Sequence, residues 1–310
     1  MSMNFEYHPG ERAVQQRAGE TATADLNGAV MASTILAGAR PFIGKQSMVV
    51  LASRDAEGAA WCSVLYGQPG FAHADVPSVV TVDVPVARRA ASDPLWNNLC
   101  TQRDIGMLFI ELGSRRRYRI NGTVTRIDGR GIEVTVREAY PNCPRFIQRR
   151  LLKSVLEDSG QDGVATGAAI AGGVASLIRH ADTLFLASYH PDTGADASHR
   201  GGSPGFVGLV GERLLRVPDY PGNSLFNTFG NVELNGLLGL CIPDFDHGQL
   251  LQLSGKARLL WDQPDPGALS GGSGRFWEFQ VASWILRQVP QRLEWEYLDA
   301  SPFNPPVVKE

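Results

Sequence analysis

No stretch of this 310-residue chain strings together the roughly 20 apolar residues that a membrane-spanning helix needs. Its longest apolar runs, around Thr183–Ala187 and Gly236–Ile242, stop far short. The segment before Gly19 carries Glu6, Glu11 and Arg12 and no apolar core, so a secretory signal is not expected and a cytoplasmic location is. Cysteine is scarce. Cys62, Cys100, Cys143 and Cys241 stand far apart without a CxxC pair, which argues against a zinc site or a disulfide framework and for reduced thiols. An excess of one charge is missing too. Against 32 acidic side chains stand 29 basic ones, a net −3 that offers no broad field for nucleic acid. Neither nucleic acid nor membrane is an expected partner. Hydrophobic content of 43% and charged content of 20% exclude a disordered chain, and the length suffices for two domains with separate cores.

What the chain does have is repetition. Leu51-Ala52-Ser53 returns as Leu186-Ala187-Ser188, and Pro69-Gly70-Phe71 as Pro204-Gly205-Phe206, both 135 residues later. Ser63 falls on Ser198 at the same displacement, while Gly106 falls on Gly239 and Gly122 on Gly255, 133 residues later. A nearly constant offset across about 70 residues points to an internal duplication rather than to shared turn tripeptides.

The local patterns agree. Each half opens with a run of β-formers (Ser47–Ala52, Thr183–Ala187), turns, and reaches a segment ending in Pro-Gly-Phe. Strands are then predicted at Ser78–Val84 and Arg213–Val217, and a short helix at Asp93–Cys100 and Ser224–Leu234. Further strands follow at Ile105–Leu112 and Arg117–Ile127, matched by Leu237–Ile242 and Gln249–Leu260. Many short strands with one small helix per copy describe a barrel or sandwich, not a βαβ fold.

Outside the copies, Leu26, Val30 and Leu36 predict a helix over Asp25–Ala39 capped by Asp25. Phe146, Ile147, Leu151, Leu152 and Val155 predict an amphipathic helix over Arg145–Leu156, and the Gly/Ala-rich stretch 159–173 a flexible linker. Two more strands are predicted at Phe276–Leu286 and Arg292–Leu298. The expected division is a helical extension (1–40), a first barrel (41–142), a helix and linker (143–175), a second barrel (176–262), and C-terminal strands with a tail (263–310).

Four polar clusters could carry chemistry. In Ser198-His199-Arg200-Gly201-Gly202-Ser203, a guanidinium fork lies beside hydroxyls and glycine-freed backbone N–H groups, which suits a phosphate; a polar hairpin turn has the same composition. Ser198 and His199 point to opposite faces of a strand and cannot easily form a nucleophile pair. Asp219 to Asn231, with Asn223, Ser224, Asn227, Thr228 and Asn231, runs into the second predicted helix, whose N-terminus is a ready anion site; capping and turn chemistry would look alike. Arg115, Arg117 and Arg119 share one strand face, so they repel unless an anion lies between them or the strand is a solvated edge. Ala139–Gln148 brackets a chain reversal with two prolines.

On these segments the chain resembles the pyridoxamine 5'-phosphate oxidase-like FMN-binding split-barrel family, in its long branch with two barrels per chain. The resemblance rests on Asp196–Phe206, Pro218–Asn231, Leu251–Gly255, Arg115–Gly122, Tyr140–Gln148 and the opening His8-Pro9-Gly10-Glu11. It implies a mainly β fold of two tandem six-stranded split barrels packed as a pseudo-dimer, with FMN at their junction and a homodimer possible on top. It further implies that the second copy keeps the flavin, because it has Ser198, His199 and Arg200 where the first has Ser63, Val64 and Leu65. Asn223, Asn227, Thr228 and Asn231 would complete the phosphate and ribityl contacts, and Arg117 and Arg119 would reach across from the first copy. Activity would be hydride transfer between FMN and reduced nicotinamide or another small molecule, needing no general base. The alternatives are a flavin carrier or sensor without turnover, or a barrel holding haem or a deazaflavin. Vitamin B6 oxidation is not expected, since the family's Arg-Leu-x-Pro ending is replaced by Arg292-Leu293-Glu294-Trp295-Glu296.

Overall fold

A computed structural model describes residues 6–157, 163–305 and 307. After two helices, α1 (Pro9–Ala18) and α2 (Thr21–Gly28), and the short α3 (Arg40–Gly44), the first copy forms β1 (Met48–Arg54), β2 (Ala60–Tyr66), β3 (Ala72–His73) and β4 (Val79–Asp83). Helix α4 (Pro94–Thr101) follows, then β5 (Asp104–Glu111), β6 (Arg116–Ile127) and β7 (Gly131–Asn142). Two connecting strands, β8 (Arg149–Glu157) and β9 (Ala165–Gly167), lead to α5 (Gly172–His180). The second copy repeats the scheme: β10 (Thr183–His190), β11 (Gly194–Gly201), β12 (Gly208–Leu209), β13 (Leu214–Pro218), α6 (Asn227–Asn235), β14 (Leu237–Asp244), β15 (Gln249–Leu260) and β16 (Phe276–Gln288). The last strand is β17 (Gln291–Asp299).

The two sheets have one topology. Strand order is β2-β1-β5-β6-β7-β4-β3 in the first and β11-β10-β14-β15-β16-β13-β12 in the second, antiparallel throughout, with β9 added beside β16. The duplication read from short words is therefore a duplication of the fold, mainly β and split-barrel in form. Both sheets exceed the six strands expected: the two-residue β3 and β12 extend the β4 and β13 ends, and β9 brings the second sheet to eight.

The period-two pattern explains the packing. In β1, Val49 and Leu51 point into the first barrel core while Met48, Val50 and Ala52 point at the other copy. In β10, Leu184 and Leu186 fill the second core while Phe185, Ala187 and Tyr189 join that same inter-copy cluster. Both faces of these strands are thus buried, so they read as continuous apolar runs. The repeated glycines have mechanical reasons. A Cβ on Gly106 would lie 2.6 Å from Ala197 N, and one on Gly239 2.6 Å from Ala60 O, so each copy needs a glycine where the other's backbone presses on it. Gly122 and Gly255 sit at matching β-bulges of β6 and β15.

Several expectations need correction. Residues 145–156 do not form a helix: β8 pairs with β17 across the pseudo-twofold, with Val155 opposite Leu293 and Leu152 opposite Trp295. That partner lies some 140 residues away, so no local period reveals it. Asp25 lies inside α2 rather than capping a helix, and Leu26, Val30 and Leu36 are exposed. The second sheet continues past residue 262 because β16 is one of its interior strands, paired with both β15 and β13. Of the expected linker, residues 158–162 lie outside the described residues, while Ala165–Gly167 is a strand held against β16. No described helix is long and apolar enough to cross a membrane.

Candidate functional site

Pseudo-twofold packing creates two equivalent junctions, each made from β2/β11 and the helix N-terminus of one copy and from β6–β7 or β15–β16 of the other. They differ sharply. At the junction of the second copy's β11 and α6 with the first copy's β6 and β7 lies a cleft of about 840 Å³, measured out to its open mouth. At its counterpart only about 260 Å³ remains.

The large cleft gathers eight of the nine residues singled out in the sequence: Ser198, His199, Arg200, Asn223, Asn227 and Thr228 from the second copy, Arg117 and Arg119 from the first. Asn231 is the exception. It lies one turn deeper on α6, fully buried, and its amide donates to Ser188 Oγ and Asp196 Oδ2, each at 2.9 Å. It supports the floor and does not face the cleft. Cleft residues not singled out as site residues include Asn142, Cys143, Arg145, Phe146, Asp219 and Tyr220. The proline-bracketed turn after β7 was the available signal for the first four.

The electrostatics are those of an anion site. Arg117, Arg119 and Arg200 converge on the cleft, with Asp196 beside Arg119 and Asp219 acting on Arg200. Arg119 Nη1 lies 3.5 Å from Asp196 and donates to Tyr140 Oη (3.0 Å) and Asn227 Oδ1 (3.2 Å). Arg200 reaches only the His199 carbonyl, at 3.1 Å, and stacks over Phe229. Arg117 donates to the Cys143 carbonyl and sits 3.4 Å from His199 Nδ1. Burial, reinforced by Arg200 and Arg119, lowers the Arg117 guanidinium to about 9. The carboxylate in the cleft, Asp219, is already engaged by Arg275 Nε at 2.9 Å.

His199 is held neutral, pushed well below its usual range by burial and then by Arg117 and Arg200. A guanidinium can only donate, so Nδ1 accepts and the ring proton sits on Nε2, which has no partner. Arg117 Nε, Arg119 Nε and the Asn142 amide oxygen are likewise buried without partners. Buried polar groups are normally satisfied, so a cluster of unsatisfied ones around a cleft marks where a ligand's atoms belong.

The end of α6 adds to this. Its N-cap, Phe226, has φ 58° and makes no side-chain capping bond, leaving first-turn N–H groups uncapped at the cleft. Ser198 Oγ and Thr228 Oγ1 lie 2.8 Å apart beside it. Phe146, Ser224 and Phe226, all lining the cleft, are three of the six described non-glycine residues with positive φ. Such strain concentrates at ligand sites.

Beneath the cleft lies a buried acidic network reaching the N-terminal helix. His8 caps α1 and Glu11 closes the reciprocal bond to His8 N, a capping box. Glu11 also accepts from Asn227 Nδ2 at 2.5 Å, tying α1 to the start of α6. Burial, then Asp196, raises the Glu11 carboxyl to about 8.

No protein-family model matches the chain, and no curated protein matches it. Similar solved structures exist. A variant of HupZ from Group A Streptococcus is 13% identical, covering 37% of this chain and 98% of that one, with a TM-score of 0.30. A Clostridium acetobutylicum protein of the pyridoxinephosphate oxidase family, related to general stress protein 26, is 10% identical over 39% of this chain and 89% of its own, with a TM-score of 0.29. A pyridoxamine 5'-phosphate oxidase-related, FMN-binding protein from Nostoc punctiforme is 12% identical over 43% and 100%, with a TM-score of 0.28. Likeness at this level carries no chemistry across. By its own strand order the chain is a split β-barrel present twice, and among the described residues the junction of β11 and α6 with β6 and β7 is open and cationic.

Proposed function

We propose that this cleft holds FMN and that the protein is an oxidoreductase passing hydride between the flavin and reduced nicotinamide or another small molecule. The carrying observation is the contrast between the junctions: one keeps three guanidinium groups, an uncapped helix end and unpartnered donors, while its mate is closed. Arg117, Arg119 and Arg200 would bind the phosphate with the Ser198 and Thr228 hydroxyls and the α6 N–H groups. Phe146, Phe206 and Tyr220 offer apolar walls for a flat ring. The neutral His199, with its proton on Nε2, supplies a hydrogen-bond donor without adding a charge. Bound flavin would itself accept the hydride, so the absence of an assigned general base is consistent with this chemistry.

The visible spectrum and flavin content of the purified protein test the cofactor: one flavin per chain is expected. A colourless folded protein that takes up no added FMN overturns the proposal, and a haem or deazaflavin spectrum replaces the ligand. Stopped-flow bleaching by NADH or NADPH tests turnover. A flavin inert to both and to oxygen would mark a carrier or sensor.

A further inference from the structure

The closed junction is not merely eroded. Strand register makes Ser63 the counterpart of Ser198, since each pairs with the matching leucine, Leu51 or Leu186. It likewise makes Gln252 the counterpart of Arg119 and Arg287 that of Asn142. At the helix end, Asp93 caps α4 where Phe226 precedes α6, and its carboxylate accepts from Leu95 N at 3.1 Å. The same carboxylate accepts from Ser63 Oγ at 2.6 Å, from Gln252 Nε2 at 3.3 Å and from Arg287 Nη2 at 2.5 Å. Gln252 also accepts from Arg287 Nε at 2.9 Å. Both charged side chains are almost wholly buried, at 2% and 1% exposure.

A helix N-terminus, a strand hydroxyl and a guanidinium from the opposite copy are the donor types that converge in the open cleft, where the lining carboxylate, Asp219, is engaged by Arg275. We infer that Asp93 is an intramolecular ligand: its carboxylate occupies the oxyanion position of a second, self-occupied site, and removing it uncovers a site for phosphate-type oxyanions. This rests on the reading of the open cleft as an anion site. It gives the buried Asp93–Arg287 pair between the copies a role at the closed junction, beside the replacement of His199 and Arg200 by Val64 and Leu65 there.

Asp93→Gly tests this, placed in an Arg200→Ala background so that the open cleft contributes little phosphate response. Thermal unfolding is followed in 10 mM inorganic phosphate and in chloride of equal ionic strength. Phosphate should raise the midpoint of the double variant by roughly 2–5 °C over chloride, for a site with a dissociation constant of about 1 mM. The signal is the increment over Arg200→Ala alone, and adding Arg287→Met should abolish that increment. If the double variant does not fold in chloride, its refolding yield from denaturant should recover in phosphate. No phosphate-specific rise or recovery, or a rise that survives Arg287→Met, overturns the inference. FMN uptake by the unmodified chain is read separately, so either idea can fail without the other.

Discussion

The two junctions of this molecule are built on one plan and have opposite contents. In one, Arg287 meets a carboxylate from its own chain inside the core; in the other, Arg117, Arg119 and Arg200 face a cleft with partnerless N–H groups. The difference teaches how a duplicated fold can manage a ligand site it does not use. Buried arginines and an open helix end are costly without an anion. A junction without a ligand must either lack those groups or satisfy them internally. The closed junction does both: Val64 and Leu65 stand where His199 and Arg200 stand in the other copy, and Asp93 satisfies the donors that remain.

The largest effect should come from removing an arginine on the closed side. Arg287→Ala leaves Asp93 buried and unpaired, and denaturant unfolding should show a loss of about 3–5 kcal/mol. Removing an arginine on the open side should act in the opposite sense. Arg200 donates to a neighbouring carbonyl, and burial and Arg119 oppose the attraction of Asp219, so Arg200→Ala should change stability by less than about 1 kcal/mol. Its effect belongs to the ligand. Fluorescence titration should show FMN affinity reduced about tenfold to hundredfold, the worth of a charge-assisted hydrogen bond at about 1.5–3 kcal/mol. Equal stability losses in the two variants would dissolve the contrast, and unchanged FMN affinity would remove Arg200 from the site.

Much of this was legible in sequence because the duplication preserves short, mechanically constrained words. Gly106 and Gly239 recur because two backbones press together, and Gly122 and Gly255 because a bulge recurs. Arg200, Asn227 and Thr228 stood out because polar residues clustered at a strand end and a helix start. What was illegible depended on distant partners. Asp93 and Arg287 are 194 residues apart, and nothing local in either announces the pair. The apolar residues of 145–156 fit a helix as readily as the half-exposed strand they form with β17. Asn231 shares the polar character of Asn227, yet being one turn deeper turns it from the cleft to Asp196. The true N-terminal cap was readable: His8-Pro9-Gly10-Glu11 places a proline at the first helical position and a glutamate at the third, a stronger signal than Asp25.

The acidic network under the open cleft makes the comparison pH-dependent. Glu11 titrates at about 8 in the folded protein against an ordinary 4.5, with burial the main cause and Asp196 next. A carboxyl whose folded value is raised stabilises fully below its unfolded value and loses that contribution as pH climbs through the folded one. Stability should therefore fall between pH 4.5 and 8 by this group's share, and Glu11→Gln should flatten that decline in midpoint-versus-pH curves. His8 acts in reverse. Burial, then His190, lowers it to about 4 from 6.5, so its contribution is present above 6.5 and lost as pH falls toward 4. A decline that persists unchanged in Glu11→Gln would take the proton away from this site.

The smallest predicted effect compares the same atom in both copies. Ser63 Oγ donates to the buried Asp93 carboxylate and receives Gln252 Nε2 at 3.0 Å. Ser198 Oγ meets only the neutral Thr228 hydroxyl. Hydrogen bonds to charged groups are worth about 1.5–3 kcal/mol and neutral ones about 0.5–1.5. Ser63→Ala should therefore destabilise the chain by about 1 kcal/mol more than Ser198→Ala, read from paired denaturant curves. Binding should rank the two the other way. If Ser198 contributes its hydroxyl to the phosphate, Ser198→Ala loses a few-fold in FMN affinity while Ser63→Ala loses none, because the anion its hydroxyl serves is already part of the chain.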